Sequence, residues 1–214
     1  MSLPKHFCRS AAVLCALSLI TGVIHADDSS ATKNLFLPRN FEAALKNGEV
    51  VGFEQVRRVF ITSGTNEFLF VVPQGLRMDT NPDKLTLVAT DSSYFLTFRV
   101  LRPAVPEANT SNLGSARRYV SDLFPQARIL EEFFKTAAGR NGPAFDIRLK
   151  AAGGMERALC VVLVPSEAGV LEFTLNADLS KSAEAKAAFH SLLRTFRSNE
   201  RGKLEVTPRV VDNS

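Results

Sequence analysis

The chain has 214 residues with 26 basic and 22 acidic side chains, 45% hydrophobic residues, three cysteines, three histidines and no tryptophan. That composition excludes a strongly basic nucleic-acid binder and a disulfide-stapled miniprotein. It leaves enough chain for a core that holds without cross-links.

Residues 1–26 read as a secretory signal peptide. Lys5 and Arg9 give a positive start, the uncharged apolar run 11–24 is short for a membrane span, and Ala26 precedes Asp27-Asp28. Cleavage leaves 188 residues with 24 basic and 22 acidic side chains, a net charge of +2, one histidine (His190) and one cysteine (Cys160). The expectation is an exported protein, periplasmic or extracellular, with no membrane span after cleavage, no intramolecular disulfide and no nucleic-acid partner.

Residues 27–48 are polar and mixed and read as an N-terminal leader, with Phe41 to Lys46 expected to form a turn or two of helix before Asn47-Gly48. From Glu49 to Ile61 the pattern is strand-like. Ser63-Gly64-Thr65-Asn66 is a turn, and Glu67 to Val72 returns as the second arm of a hairpin. The apolar run from Phe68 to Val72 then meets Pro73-Gln74-Gly75, and the chain turns apolar again at Leu76 and Met78. Two further strands, Leu85 to Ala89 and Tyr94 to Leu101, are apolar on both faces, as strands covered on both sides are.

After a loop at 103–111, Leu113 to Phe124 is expected to be a helix that Pro125 ends, with Ala116, Val120, Leu123 and Phe124 at helical spacing. Strands follow at Arg128 to Lys135, Ala144 to Lys150, Arg157 to Val164 and Val170 to Leu175, separated by glycine-containing turns. A last helix covers about Lys181 to Thr195, capped by Asp178 or Ser180, and residues 199–214 form a polar tail. Hairpin-length turns imply an antiparallel sheet. Strands apolar on both faces imply a layer on each side. The fold class expected is therefore α+β, an antiparallel β-sheet sandwiched by helices (α/β/α), as one domain over residues 49–198.

This order resembles the PsbP-like and DcrB-like family, which includes the extrinsic PsbP subunit of photosystem II and shares its fold with the Ran-binding nuclear transport factor. The resemblance covers about residues 50–198. It rests on the Pro73-x-Gly75 corner, the hairpin that follows it, the loose loop before the first helix, and the closing Leu193-Arg194-Thr195-Phe196. Leu76 stands where relatives often carry Trp, and Thr195-Phe196 is similar to the Ser-Phe that ends their last helix. The resemblance implies that the residue after the corner glycine plugs the core, and that the protein is a non-enzymatic accessory or binding protein.

The residues themselves carry little catalytic chemistry. One histidine and one cysteine in the mature chain rule out clustered His/Cys zinc sites and a Cys–His dyad with a choice of partners. His190 lines up with Lys186, Arg194 and Arg197, away from the apolar face of the last helix, and reads as a surface side chain. Cys160, in Ala-Leu-Cys-Val-Val-Leu-Val, reads as a core thiol. No nucleophile elbow, phosphate loop or dinucleotide fingerprint occurs.

Asp79, Asn81 and Asp83 match the opening of a calcium loop. Lys84 and Thr90 stand where such a loop needs Gly and Glu, so a turn is the competing reading and no metal is expected. The binding candidates are basic: Arg117 and Arg118 on the first helix, Arg148 and Lys150 on one strand face, and Arg99, whose apolar strand demands a carboxylate or an exposed edge. Asn109-Thr-Ser111 fits a glycosylation sequon.

The function expected is therefore an exported, non-catalytic binding or accessory protein. It needs no cofactor, is a monomer, and acts by contact with another envelope protein through its polar loops and arginine-bearing helix. The alternative is a small-molecule or lipid carrier whose pocket is lined by some of the 15 phenylalanines of the mature chain.

Overall fold

The computed structural model describes residues 41–51, 54–81, 84–101 and 112–200. The signal-like segment, the sequon, Asp83 and the chain beyond Glu200 lie outside the described residues.

Within them the chain forms eleven strands and two α-helices. The first strands are β1 (Phe41–Val51), β2 (Glu54–Ser63), β3 (Asn66–Val71), β4 (Leu76–Asn81), β5 (Lys84–Ala89) and β6 (Tyr94–Leu101). Helix α1 (Leu113–Leu123) is followed by β7 (Ala127–Ala137), β8 (Arg140–Lys150), β9 (Glu156–Ser166) and β10 (Gly169–Asp178). Helix α2 (Ser182–Thr195) and β11 (Arg197–Glu200) close the described chain. The order is β1-β2-β3-β11 in a four-stranded sheet and β4-β5-β6-β10-β9-β8-β7 in a seven-stranded one, with antiparallel neighbours throughout. No helix among the described residues is long and apolar enough to cross a membrane.

The expected hairpin between β2 and β3 forms, with Ser63 opposite Asn66 and Gly64 at a φ of +63°, a left-handed conformation that suits a residue without a Cβ. The proline–glycine corner does what the resemblance implied. Gly75 takes a φ of +76°, Leu76 is 1% exposed, and the Gly75 carbonyl accepts from the backbone N and hydroxyl of Thr90 at 3.3 and 3.0 Å. From Arg57, a guanidinium N–H donates to the Leu76 carbonyl at 2.9 Å, tying the corner to the four-stranded sheet.

Strand alternation sets the core. Along β9, Cys160, Val162 and Val164 enter one buried cluster while Leu159, Val161 and Leu163 enter a second. The first cluster includes Phe189, Leu192 and Leu193 of α2, together with Val59, Ile61, Phe68 and Phe70 of the four-stranded sheet. The second includes Ala116 and Val120 of α1, with Leu113, Tyr119 and Phe124 packed against it. A second sheet, which the sequence reading did not separate, thus shares one cluster with α2.

At the centre of the first cluster Phe196 is fully buried, with its ring 4.8–5.9 Å from those of Phe173, Phe98, Phe68 and Phe70. The adjoining Thr195 hydroxyl accepts from the Val71 N–H at 3.2 Å and donates to the Leu192 carbonyl at 3.1 Å.

Several expectations are corrected by pairing that local sequence does not display. Phe41 to Lys46 is strand, not helix, because β2 supplies it with a hydrogen-bonding partner from Phe41 opposite Ser63 onward. The Asn47-Gly48 break becomes an irregularity in that ladder. Polar β4 and β11 form because β5 and β3 each offer an edge.

Helix α1 is capped by Asn112, whose side chain accepts from the Gly114 N–H at 2.9 Å, and stops before Pro125 as expected. Neither expected residue caps α2. A 3-10 turn at Leu179–Lys181 intervenes, and the Asp178 carboxylate instead holds Arg157 at 2.5 Å. Gly142 belongs to β8 rather than to a turn: a Cβ there would meet the Leu163 carbonyl oxygen at 1.8 Å.

Candidate functional site

The basic residues singled out from sequence do not form one patch. Arg99 on β6 lies directly opposite Glu172 on β10 and makes the carboxylate contact its strand required, at 2.7 and 2.9 Å. Glu172 is 2% exposed and also accepts from the Tyr119 hydroxyl at 2.5 Å and the Thr174 hydroxyl at 3.2 Å. Burial and the neighbouring carboxylate both push the Tyr119 phenol up, so it stays a donor. This cluster is internally satisfied and joins α1 to the sheet.

Arg117 forms an exposed pair with Glu132 of β7, at 2.6 Å. Arg118 is exposed on the same helix. On β8, Phe145 and Ile147 enter the cluster containing α1, whereas Asp146 holds Lys186 of α2 at 2.5 Å. By alternation Arg148 and Lys150 share the Asp146 side, opposite to the one α1 occupies. Arg148 is occupied by Glu156 at 3.0 Å, and Lys150 is exposed at the end of the strand. The sequence set therefore divides between two sides of the seven-stranded sheet.

Asp79 and Asn81 fall in β4, opposite Thr86 and Lys84, rather than in a loop, and Asp83 lies outside the described residues. Among the described residues no group of three or more His, Cys, Asp or Glu side chains is placed to hold a metal. Cys160 is 3% exposed, and burial followed by the adjacent Asp146 carboxylate pushes its thiol well above the ordinary range. It is a protonated core side chain with no nucleophilic character at neutral pH.

What the structure assembles instead is a groove of about 750 Å³ between α2 and the end of β7. Phe134 to Gly139 form one wall; His190, Leu193, Arg194 and Arg197 form the other. Lys135 joins the three α2-side basic residues, and among the described residues no carboxylate lines the groove. Arg197 is held at the helix end, donating to the carbonyls of Arg194 and Phe196 at 3.0 and 2.9 Å. Partial burial of the His190 ring, then the nearby Lys135 and Lys186 ammonium groups, lower its pKa below the ordinary 6.5. A site of this kind can hold an anion beside an apolar group. Lys186, His190, Arg194 and Arg197 were legible as one surface row. Lys135 was not, because 55 residues separate it from His190 in the chain.

Comparison with solved structures settles the architecture. A solution structure of cyanobacterial PsbP (CyanoP) from Synechocystis sp. PCC 6803 matches with a TM-score of 0.52 over 71% of this chain and 98% of that one, at 16% sequence identity. The fold is PsbP-like. A second match, at a TM-score of 0.46 and 13% identity, is the crystal structure of LpqN, involved in cell envelope biogenesis of Mycobacterium tuberculosis; it spans 74% of this chain and 91% of that one. No family model matches the chain, and no curated protein matches it in sequence. At such identity the PsbP-like fold is shared as architecture, and function has to be argued from the side chains.

Proposed function

We propose that this is an exported, non-catalytic binding protein of the cell envelope that works by protein contact. Its contact face is the groove between β7 and α2, in place of the α1 arginines that the sequence favoured. The observation that carries the reading is the charge of that groove. Among the described residues three permanent cations and a histidine line it without a single carboxylate, although ion pairs neutralise basic side chains elsewhere. Two further points support it: the signal-like N-terminus, and a sole mature cysteine that is buried and protonated. The carrier reading loses its main argument, because the central phenylalanines pack ring against ring instead of around a cavity.

The test is native mass spectrometry of the mature protein recovered gently from its own host, beside a Lys135→Glu/Arg194→Glu variant. A protein recovered at fixed ratio with the wild type and lost from the variant is the expected result. A small-molecule mass on the monomer in its place, or a partner retained by the variant, overturns the proposal.

A further inference from the structure

The groove has a second property besides its charge. One of its walls is six consecutive residues, from Phe134 to Gly139, at the end of a strand and its turn. In a strand, alternate side chains point to opposite faces, so a consecutive run can border a single groove only by presenting main chain as well. The strand concerned is β7, the last of the seven-stranded sheet, paired with β8 on one side and with no other strand among the described residues.

This edge is long. β7 has 11 residues, against 6 for β4 at the opposite edge. Proteins blunt such edges with short strands, charges or bulges, because unpaired N–H and C=O groups recruit another chain. Here an irregularity lies between Ile129 and Glu131, in the first half. The second half carries Phe134 at 60% exposure, and Leu130 beside the irregularity is 50% exposed. Acidic Glu131 and Glu132 precede that half, and Glu132 is taken up by Arg117. Along this half, then, the open ladder edge presents Lys135 on the side of the basic face of α2 and the exposed ring of Phe134 on the opposite side.

We propose that the second half of β7 and the basic side of α2 form a strand-addition groove for an extended, acidic segment of a protein partner. The proposal rests on the reading that the protein acts by protein contact, and specifies how. The partner's main chain continues the antiparallel ladder outward from β7, about 4.8 Å away. Its alternate side chains are carboxylates directed toward Lys135, Arg194 and Arg197, and the intervening ones are apolar and cover Phe134. Main-chain hydrogen bonds give the affinity and the alternating side chains the selectivity, as in other cases of β-augmentation. A second copy pairing β7 to β7 would bring the same cationic side of α2 close to itself, so charge favours a different, acidic chain.

The experiment uses the mature full chain and four blocked octapeptides. One alternates Val and Glu, one alternates Val and Lys, and two are N-methylated forms of the acidic peptide carrying the methyl groups on alternate amides in opposite phase. Binding is followed by fluorescence anisotropy, and amide hydrogen exchange is read over residues 127–137. The expected result is binding of the acidic peptide, protection of alternate β7 amides, and about a tenfold loss of affinity in only one of the two N-methylated phases. That asymmetry arises because a one-residue register slip would turn the carboxylates away from α2. Lys135→Glu/Arg194→Glu should reverse the preference toward the Val–Lys peptide.

Binding that ignores N-methylation and leaves β7 exchange unchanged overturns strand addition while leaving the protein-contact reading intact. Protection of β7 that rises with protein concentration in the absence of peptide overturns it in favour of a second copy. Absence of binding at millimolar peptide, or equal binding of acidic and basic peptides, also overturns it. Loss of the protein-contact reading is registered separately, by the native complexes described above.

Discussion

The two buried clusters on either side of β9 are closed by different chemistry. In one, α2 and the four-stranded sheet meet the seven-stranded sheet through phenylalanine, with Phe196 inserted among four other rings. In the other, α1 contributes two small buried residues, Ala116 and Val120, and a tyrosine that reaches the Arg99–Glu172 pair. The lesson is one of helix length and composition. Helix α2 has 14 residues and buries four apolar ones, Ala185, Phe189, Leu192 and Leu193, so apolar packing supplies most of its hold and the Lys186–Asp146 pair adds to it. Helix α1 has 11 residues with only two buried, and adds a polar anchor to which its tyrosine donates.

The first way to break this comparison is Phe196→Ala. Removing a ring from the centre of a packed aromatic cluster should cost about 4 kcal/mol, read as a lowered urea midpoint at unchanged slope. It should also free Thr195 from Val71, so amide exchange at Val71 should rise. A cost below about 1 kcal/mol would mean that the surrounding rings collapse into the space and that the cluster is not closely packed.

The polar side should respond nearly as strongly to a single change and far less to a paired one. Glu172→Ala leaves the Arg99 guanidinium without its carboxylate and should cost about 3 kcal/mol. The double variant Arg99→Met/Glu172→Leu removes both charges and should cost less than Glu172→Ala alone. If the double variant is the worse of the two, the pair is a net source of stability rather than a mutually neutralised burden.

Smaller still are the effects at the surface. Arg117→Ala removes an exposed pair with Glu132, and its urea midpoint should be indistinguishable from that of the wild type in moderate salt. A clear loss would place this pair among the anchors of α1.

The smallest effect is a pH dependence through His190. Its folded pKa is lowered, so on acidification the unfolded chain takes up the proton first, and stability declines as pH falls through 6.5 toward the folded value. The charged groups facing it are Lys135 on β7, Lys186 on α2 and Asp146 on β8. His190→Gln should flatten the slope of stability between pH 7 and pH 5. Peptide binding should move the other way in the wild type: an acidic occupant favours the protonated ring, so affinity should rise as pH falls. A stability slope unchanged in the glutamine variant would assign it to other groups.

Much of this was legible from local sequence. β6 matches its expected span from Tyr94 to Leu101, and α1 stops before Pro125. These follow from alternation, helical spacing and turn residues, which act within a few positions of the chain. Arg99 declared its need for a carboxylate, because a guanidinium among apolar strand residues has no cheaper solution. Which carboxylate it found was hidden, since Glu172 lies 73 residues away.

By itself, then, the sequence determined the two helices, the hairpin series and the burial of Cys160, because hydrophobic periodicity and turn chemistry are written into neighbouring residues. Only the tertiary structure decided that Phe41 to Lys46 is strand and that β4 and β11 exist, because their hydrogen-bonding partners come from elsewhere in the chain. It also divided the arginines between two sides of a sheet and set Lys135 beside His190 and Arg194. Strand order places β7 at an edge and α2 next to it, and no short-range pattern encodes strand order.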